Sequence, residues 1–113
     1  MVAQLKPEFF IKQYDNEPPL DVALEDDFGH PINLEGASVT FYMRSRTTKQ
    51  VKINGGPVTV LYPIRGEVRY QFRSVDTNTP GIYEVEFRVL DVVNGIQRFP
   101  NNGYILIHVV ESI

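Results

Sequence analysis

A period of two in the apolar residues, repeated from one turn to the next, constrains this chain more than any other feature. Leu20, Val22 and Leu24 alternate with Asp21, Ala23 and Glu25, and Val39, Phe41 and Met43 alternate with Thr40, Tyr42 and Arg44. Val68, Tyr70 and Phe72 alternate with Glu67, Arg69, Gln71 and Arg73. Tyr83, Val85, Phe87 and Val89 alternate with Glu84, Glu86 and Arg88, and Ile105, Ile107 and Val109 alternate with Leu106 and His108. Successive side chains of an extended strand point to opposite faces, so each run predicts a strand with one buried and one wet face. Phe9 to Gln13, Val51 to Ile53 and Val58 to Tyr62 carry weaker versions of the pattern. No segment sustains helical spacing, and Ser45 to Gln50 has room only for a loop or a single helical turn.

The residues between these runs have the chemistry of turns. Asn16-Glu17-Pro18-Pro19, Asp26-Asp27-Phe28-Gly29, Asn54-Gly55-Gly56-Pro57, Asn78-Thr79-Pro80-Gly81 and Pro100-Asn101-Asn102-Gly103 combine residues that tolerate positive φ with prolines that withhold a ladder donor. Asn94-Gly95 is the strongest hairpin signal, because a type I′ turn needs positive φ at both central positions. It predicts a short strand from Ile96 to Phe99, ended by Pro100, with Gly103 admitting the backbone to a final strand.

Seven or eight short strands in 113 residues describe an all-β domain, an immunoglobulin-like antiparallel β-sandwich, with a small barrel as the structural alternative. Residues 1–113 are expected to form one domain. A chain of this length buries roughly two-thirds of the surface its unfolded form exposes. Tyr83 follows a glycine turn at the head of a long strand, where it either closes a tyrosine corner with the preceding loop or simply leads an inward stripe.

Composition narrows the chemistry. With no cysteine, neither disulfides nor thiolate metal sites are available. The longest apolar run, Tyr104 to Val110, is interrupted by His108 and too short to span a bilayer, so no membrane contact is expected. The two histidines, His30 in a turn and His108 on a strand face expected to meet solvent, form no nucleophilic spacing with any of the four serines. A catalytic role is therefore not expected. Glu25, Asp26 and Asp27 beside His30 offer carboxylate oxygens to a hard cation but lack the alternating order of a calcium loop, and read better as a solvated turn. No cofactor or metal is expected.

Charge is uneven along the chain. Residues 1–36 carry eight acids and two bases, residues 37–73 seven bases and one acid, and residues 74–113 five acids and two bases, giving -6, +6 and -3, which sum to the net -3. Such an arrangement either sets opposite patches on one surface, favouring contact with another copy or a neighbour, or decorates solvent faces. Arg44, Arg46, Lys49 and Lys52 form a basic stretch able to meet phosphates of a host cell-wall polymer such as teichoic acid. Nucleic acid is not expected, because no aromatic stacking platform accompanies these bases and the net charge is negative. Tryptophan is absent, and of the six tyrosines only Tyr42 is clearly directed outward by the alternation. Both features are thin support for a glycan site.

The order of several segments carries a resemblance. Phe10 to Leu20, FIKQYDNEPPL, is followed by Asp27 to Met43, DFGHPINLEGASVTFYM; Thr79 to Phe87, TPGIYEVEF, is followed after the Asn94-Gly95 hairpin by Phe99 to Ile107, FPNNGYILI. Together, from about Phe9 to Val110, they resemble the N-terminal domain of the upper baseplate proteins of siphophages that infect Gram-positive bacteria. The resemblance implies an immunoglobulin-like sandwich at the tail tip, where the family helps join receptor-binding proteins to the tail, with no catalytic residue to carry over. Its expected partners are other phage tail and baseplate proteins or further copies of itself. The expected location is the host cytoplasm during assembly and then the virion tail tip. Members of that family continue into further baseplate segments. The span from Met1 to Ile113 is accordingly expected to be a freestanding small protein from the tail-gene region of a Bacillus siphophage. The alternative function is a host cell-wall binding module acting on carbohydrate or teichoic acid through Arg44 and Arg46.

The expected interaction surface centres on Phe9, Phe10 and Ile11. In an edge strand Phe9 and Ile11 share one face and Phe10 takes the other, giving apolar surface on both, unless the strand is covered. Tyr42, Arg44 and Arg46 complete the candidate set.

Overall fold

The computed structural model describes residues 8–93, 95–101 and 103–113, and these form nine strands in two packed sheets. The strands are β1 (Glu8–Lys12), β2 (Leu20–Ala23), β3 (Ala37–Ser45), β4 (Val51–Pro57), β5 (Thr59–Tyr62), β6 (Glu67–Tyr70), β7 (Gly81–Asp91), β8 (Gly95–Phe99) and β9 (Ile105–Val110). The larger sheet runs β1-β9-β7-β3-β4 with β8 also on β7, and the smaller runs β2-β6-β5. This is the two-sheet partition of an immunoglobulin-like sandwich. Every pair is antiparallel except β1 with β9, where the first strand runs parallel to the last along the sheet edge. Parallel pairing requires a long connection, which the whole intervening domain supplies.

The alternation places the core as anticipated. Phe41, Met43, Val85, Phe87, Val89, Ile105, Ile107 and Val109 of the larger sheet meet Leu20, Val22, Val68 and Tyr70 of the smaller, all buried. The ring of Phe41 stacks on Tyr70 across the inter-sheet space at 3.9 Å between centroids, with Phe87 edge-on at 5.2 Å. Aromatic pairs of this kind contribute roughly 0.5–1.5 kcal/mol beyond their area burial.

One feature departs from the local sequence signals, and other links take forms that those signals left open. Asn54-Gly55-Gly56-Pro57 is not a turn; it lies inside β4, where Asn54 pairs with Tyr42 and Gly56 with Phe41, leaving Gly55 as an unpaired bulge at φ 84°. A glycine bulge keeps the backbone ladder while bending an edge strand. The segment from Ser45 to Gln50 is the β3–β4 hairpin turn, closed by Ser45 N donating to Gln50 O at 2.9 Å. Two short 3₁₀ turns, Pro63–Arg65 and Ser74–Thr77, occupy the links on either side of β6.

The corner between Phe99 and Ile105 proves to be a break within one strand position. β8 pairs with the second half of β7, from Phe87 to Asp91, and β9 pairs with the first half, from Gly81 to Val85. The two short strands therefore lie end to end along the same side of β7. A cis Phe99–Pro100 bond and Gly103 at φ 74° lie in the interruption. Gly95, at φ 91°, closes the β7–β8 hairpin; Asn94 and Asn102 lie outside the described residues.

Tyr83 is both things the sequence allowed. It is buried in the inward stripe of β7, and its hydroxyl donates to the carbonyl oxygen of Thr79 at 2.7 Å, closing a tyrosine corner. A second lock in the same loop has no sequence signature. The Asp76 carboxylate, 1% exposed, accepts from the Tyr70 hydroxyl at 2.7 Å, from the Arg73 backbone N–H at 2.8 Å and from Arg73 Nη2 at 2.8 Å.

Candidate functional site

The outer face of the larger sheet gathers the polar members of the alternating strands into cross-strand rows. Register sets Glu86 beside Tyr42, Glu84 beside Arg44 and Arg88 beside Thr40. With Tyr104 from the corner and Asn54 from β4, these side chains line a shallow depression of about 230 Å³. That is below the roughly 300–1,000 Å³ of small-molecule sites, so the depression suits a side chain of a partner better than an enclosed ligand.

Its buried carboxylate is paired within the domain. Glu84, 8% exposed, accepts from Arg44 Nε at 2.8 Å and from Lys49 Nζ at 3.1 Å. Burial pushes the Glu84 carboxyl up, but the hydrogen bonds from Arg44 and Lys49 outweigh it and hold the group below the usual carboxylate range. The Arg44 guanidinium is correspondingly raised by its bond to Glu84, and its Nη2 also donates to the Tyr104 hydroxyl at 3.0 Å. Arg88 lies over the Tyr42 ring at 4.1 Å from the centroid and donates to that tyrosine's hydroxyl at 3.1 Å. The pairing pattern extends over the molecule: Arg69 grips Asp21 through two bonds of 2.7 and 2.9 Å. Arg44, Lys49, Arg69 and Arg73 of the middle third are thus matched by acids of the outer thirds.

The candidate residues divide accordingly. Tyr42 and Arg44 come together, joined by Glu84, Glu86, Arg88 and Tyr104. Arg46 does not join them: it is exposed in the β3–β4 turn, where its backbone N–H donates to Ile82 O. Ile11 is corrected from surface to interior, being 4% exposed, while Phe9 is half-buried and packs against Phe72 at 5.9 Å. Their face of β1 is covered by the second layer of the sandwich. Phe10 alone stays outside, 59% exposed, with its ring stacked on His108 at 4.4 Å. His108 is therefore largely covered rather than solvent-facing, and its Nε2 lies 3.4 Å from Glu8 Oε2. Phe10, His108 and Ile82 form one row across β1, β9 and β7, flanked by Leu106 and Val110. An apolar strip thus borders the charged depression.

The acidic turn is built as a solvated loop. Asp26 Oδ1 accepts from the backbone N–H of Phe28 and of His30, both at 2.9 Å, which positions Gly29 at the turn. Glu84 and Arg88 were visible in the sequence as outward strand positions. Their meeting with Tyr42 and Arg44 depends on β3 lying beside β7, which local periodicity does not encode.

No protein-family model and no curated protein matches the chain. Among the described residues no helix is long and apolar enough to cross a membrane. Fold and site together define an immunoglobulin-like β-sandwich whose larger sheet presents a polar outer face, with Glu84 held by Arg44 and Lys49, bordered by an apolar strip.

Proposed function

We propose that this domain is a bacteriophage structural or assembly protein, a tail- or baseplate-associated adaptor that works through protein–protein contacts. The observation that carries the contact role is the outer face of the larger sheet, where Phe10, Ile82 and Val110 remain exposed beside a depression whose buried carboxylate, Glu84, is already paired with Arg44 and Lys49. Covering this face removes little further water from Glu84, which is 8% exposed and keeps its two cationic partners. The phage assignment is supported by the ordered segments FIKQYDNEPPL, DFGHPINLEGASVTFYM, TPGIYEVEF and FPNNGYILI. In this reading the protein acts in the host cytoplasm during assembly and at the virion tail tip.

The cell-wall alternative receives less support. Arg44 and Lys49 are both committed to Glu84, and Lys52 Nζ donates to Asn78 Oδ1 at 2.6 Å, so that three of the four bases of the stretch are engaged within the domain. Mass spectrometry of purified virions and of tail assembly intermediates tests the proposal. Recovery of the chain in either supports it, whereas absence from both rejects it. Salt-sensitive adhesion of the purified protein to host cell walls, lost on Arg44→Ala and Arg46→Ala substitution, would favour the alternative.

A further inference from the structure

We propose that the free edge of β1 pairs with the same edge of a second copy, antiparallel about a two-fold axis through Phe10, joining the larger sheets of two molecules into one. Among the described residues β1 ends the larger sheet and pairs on one side only, with β9. In its parallel ladder with β9, Gln13 N donates to Val110 O at 2.8 Å. Backbone groups alternate sides along a strand, so Phe9 and Ile11 bond β9 with Gln13, while Glu8 and Phe10 direct their N–H and C=O groups outward and Lys12 its N–H, the Lys12 carbonyl already accepting from Asp15 N at 3.1 Å through one lone pair. An unpaired regular edge of this kind is a template for strand addition.

The sequence of β1, EFFIK, selects the register. With Phe10 opposite Phe10 of the second copy, Glu8 falls opposite Lys12, Lys12 opposite Glu8, and Phe9 opposite Ile11. Each opposed pair shares a face, so two ion pairs and an aromatic pair lie outside and the apolar pair continues the core face. The three outward-directed residues are also the ones that this register makes hydrogen-bonded pairs. Sliding the second strand by two residues keeps the backbone bonds but separates both ion pairs. The surface is self-complementary, as a two-fold contact requires. On the outer face it continues the row Ile82, His108, Phe10 into its symmetry mate.

The other edges lack these properties. β4 is interrupted by register shifts near Phe41 and Met43, and β5 by one between Val60 and Tyr62, features that discourage edge pairing. β2 is only four residues long. β8 offers Arg98 as its one charged residue, with no acid to oppose it under a two-fold.

Sedimentation and light scattering over a concentration series reaching the millimolar range test the pairing. The wild-type chain is expected to dimerise reversibly. Glu8→Lys and Lys12→Glu, both at exposed positions, each place like charges opposite one another twice per dimer and should weaken association by roughly tenfold or more. Mixing the two single variants should restore a heterodimer, visible by native mass spectrometry, and the double variant E8K/K12E should recover the homodimer. Phe10→Pro removes an outward N–H that β9 does not use, so it should abolish the dimer while circular dichroism stays unchanged. A monomer at every concentration overturns the proposal, and so does a dimer indifferent to the single reversals and to Phe10→Pro. The pairing does not depend on the tail reading, because detection in virions and association in solution are separate measurements.

Discussion

Replacing Asp76 with alanine should be among the most destabilising single changes in the domain. The carboxylate is 1% exposed and lies where the link from β6 to β7 turns back over the core. Two of its bonds are sheltered, those from the Tyr70 hydroxyl and the Arg73 backbone N–H. The third, from the Arg73 guanidinium, involves a side chain 66% exposed and contributes little in water. Hydrogen bonds to a charged group are worth roughly 1.5–3 kcal/mol each, and their loss also leaves the hydroxyl of Tyr70, itself 1% exposed, without a partner between the sheets. Asp76→Ala should therefore cost about 3–5 kcal/mol, a large share of the roughly 5–15 kcal/mol that stabilises a domain. Urea unfolding followed by tyrosine fluorescence and circular dichroism measures it as a lower midpoint at unchanged slope. Tyr70→Phe removes one bond and should cost about 1–2 kcal/mol in the wild-type background but much less beside Asp76→Ala, because the orphaned hydroxyl is then gone. A cost below about 1 kcal/mol for Asp76→Ala, or strict additivity in the double variant, would refute the assignment of Asp76 as the polar anchor of the core.

Three further outcomes follow from the same geometry. Tyr83→Phe deletes the neutral bond to Thr79 while leaving the ring in the core, and should lower stability by about 0.5–1.5 kcal/mol, read as a shift in thermal midpoint. Gly66→Ala should cost more than about 2 kcal/mol in urea unfolding, since the backbone sits at φ 66° and a Cβ there would stand 2.6 Å from Leu24 O. Acid should also weaken the fold: Asp21, lowered chiefly by its bond to Arg69, and Glu84, held down by Arg44 and Lys49 against burial, contribute stability above their unfolded values near pH 4. That contribution is lost as pH falls through the folded values, and a Glu84→Gln variant should show a shallower acid limb in a pH series of thermal midpoints.

Much of this architecture is written in the alternation. Val39 to Met43, Val68 to Phe72 and Tyr83 to Val89 declare which side faces the core, because a one-residue slip would turn Arg44, Arg69 or Glu86 into it. The Asn94-Gly95 signal and the tyrosine corner are equally local, and the hairpin and the Tyr83 bond to Thr79 are present. What periodicity could not convey is adjacency. Tyr42 meets Arg88, and Arg44 meets Glu84, only because β3 and β7 are neighbours, and their sequence separation hides this. The glycines of β4 misdirect for a related reason: Gly55 and Gly56 carry turn chemistry, yet in the folded chain the ladder with β3 uses it for a bulge. Asp76 gives no warning at all, since its burial depends on how the link after β6 folds back onto Tyr70. The apolar pair Phe9 and Ile11 looked like surface until the second layer was placed over it.

The break between Phe99 and Ile105 has a consequence for how the domain assembles. β8 meets β7 across a short hairpin, so its closure entropy is small, whereas β9 must find both Gly81–Val85 and the distant β1. One strand, β7, is therefore held by a local partner over its second half and by long-range partners over its first. Hydrogen exchange along β7 should divide near Glu86, where neither β8 nor β9 contributes a partner. The hairpin can close early, while the β1–β9–β7 segment closes the sandwich later. A single interruption thus separates the domain into a part that organises itself and a part that waits for both chain ends.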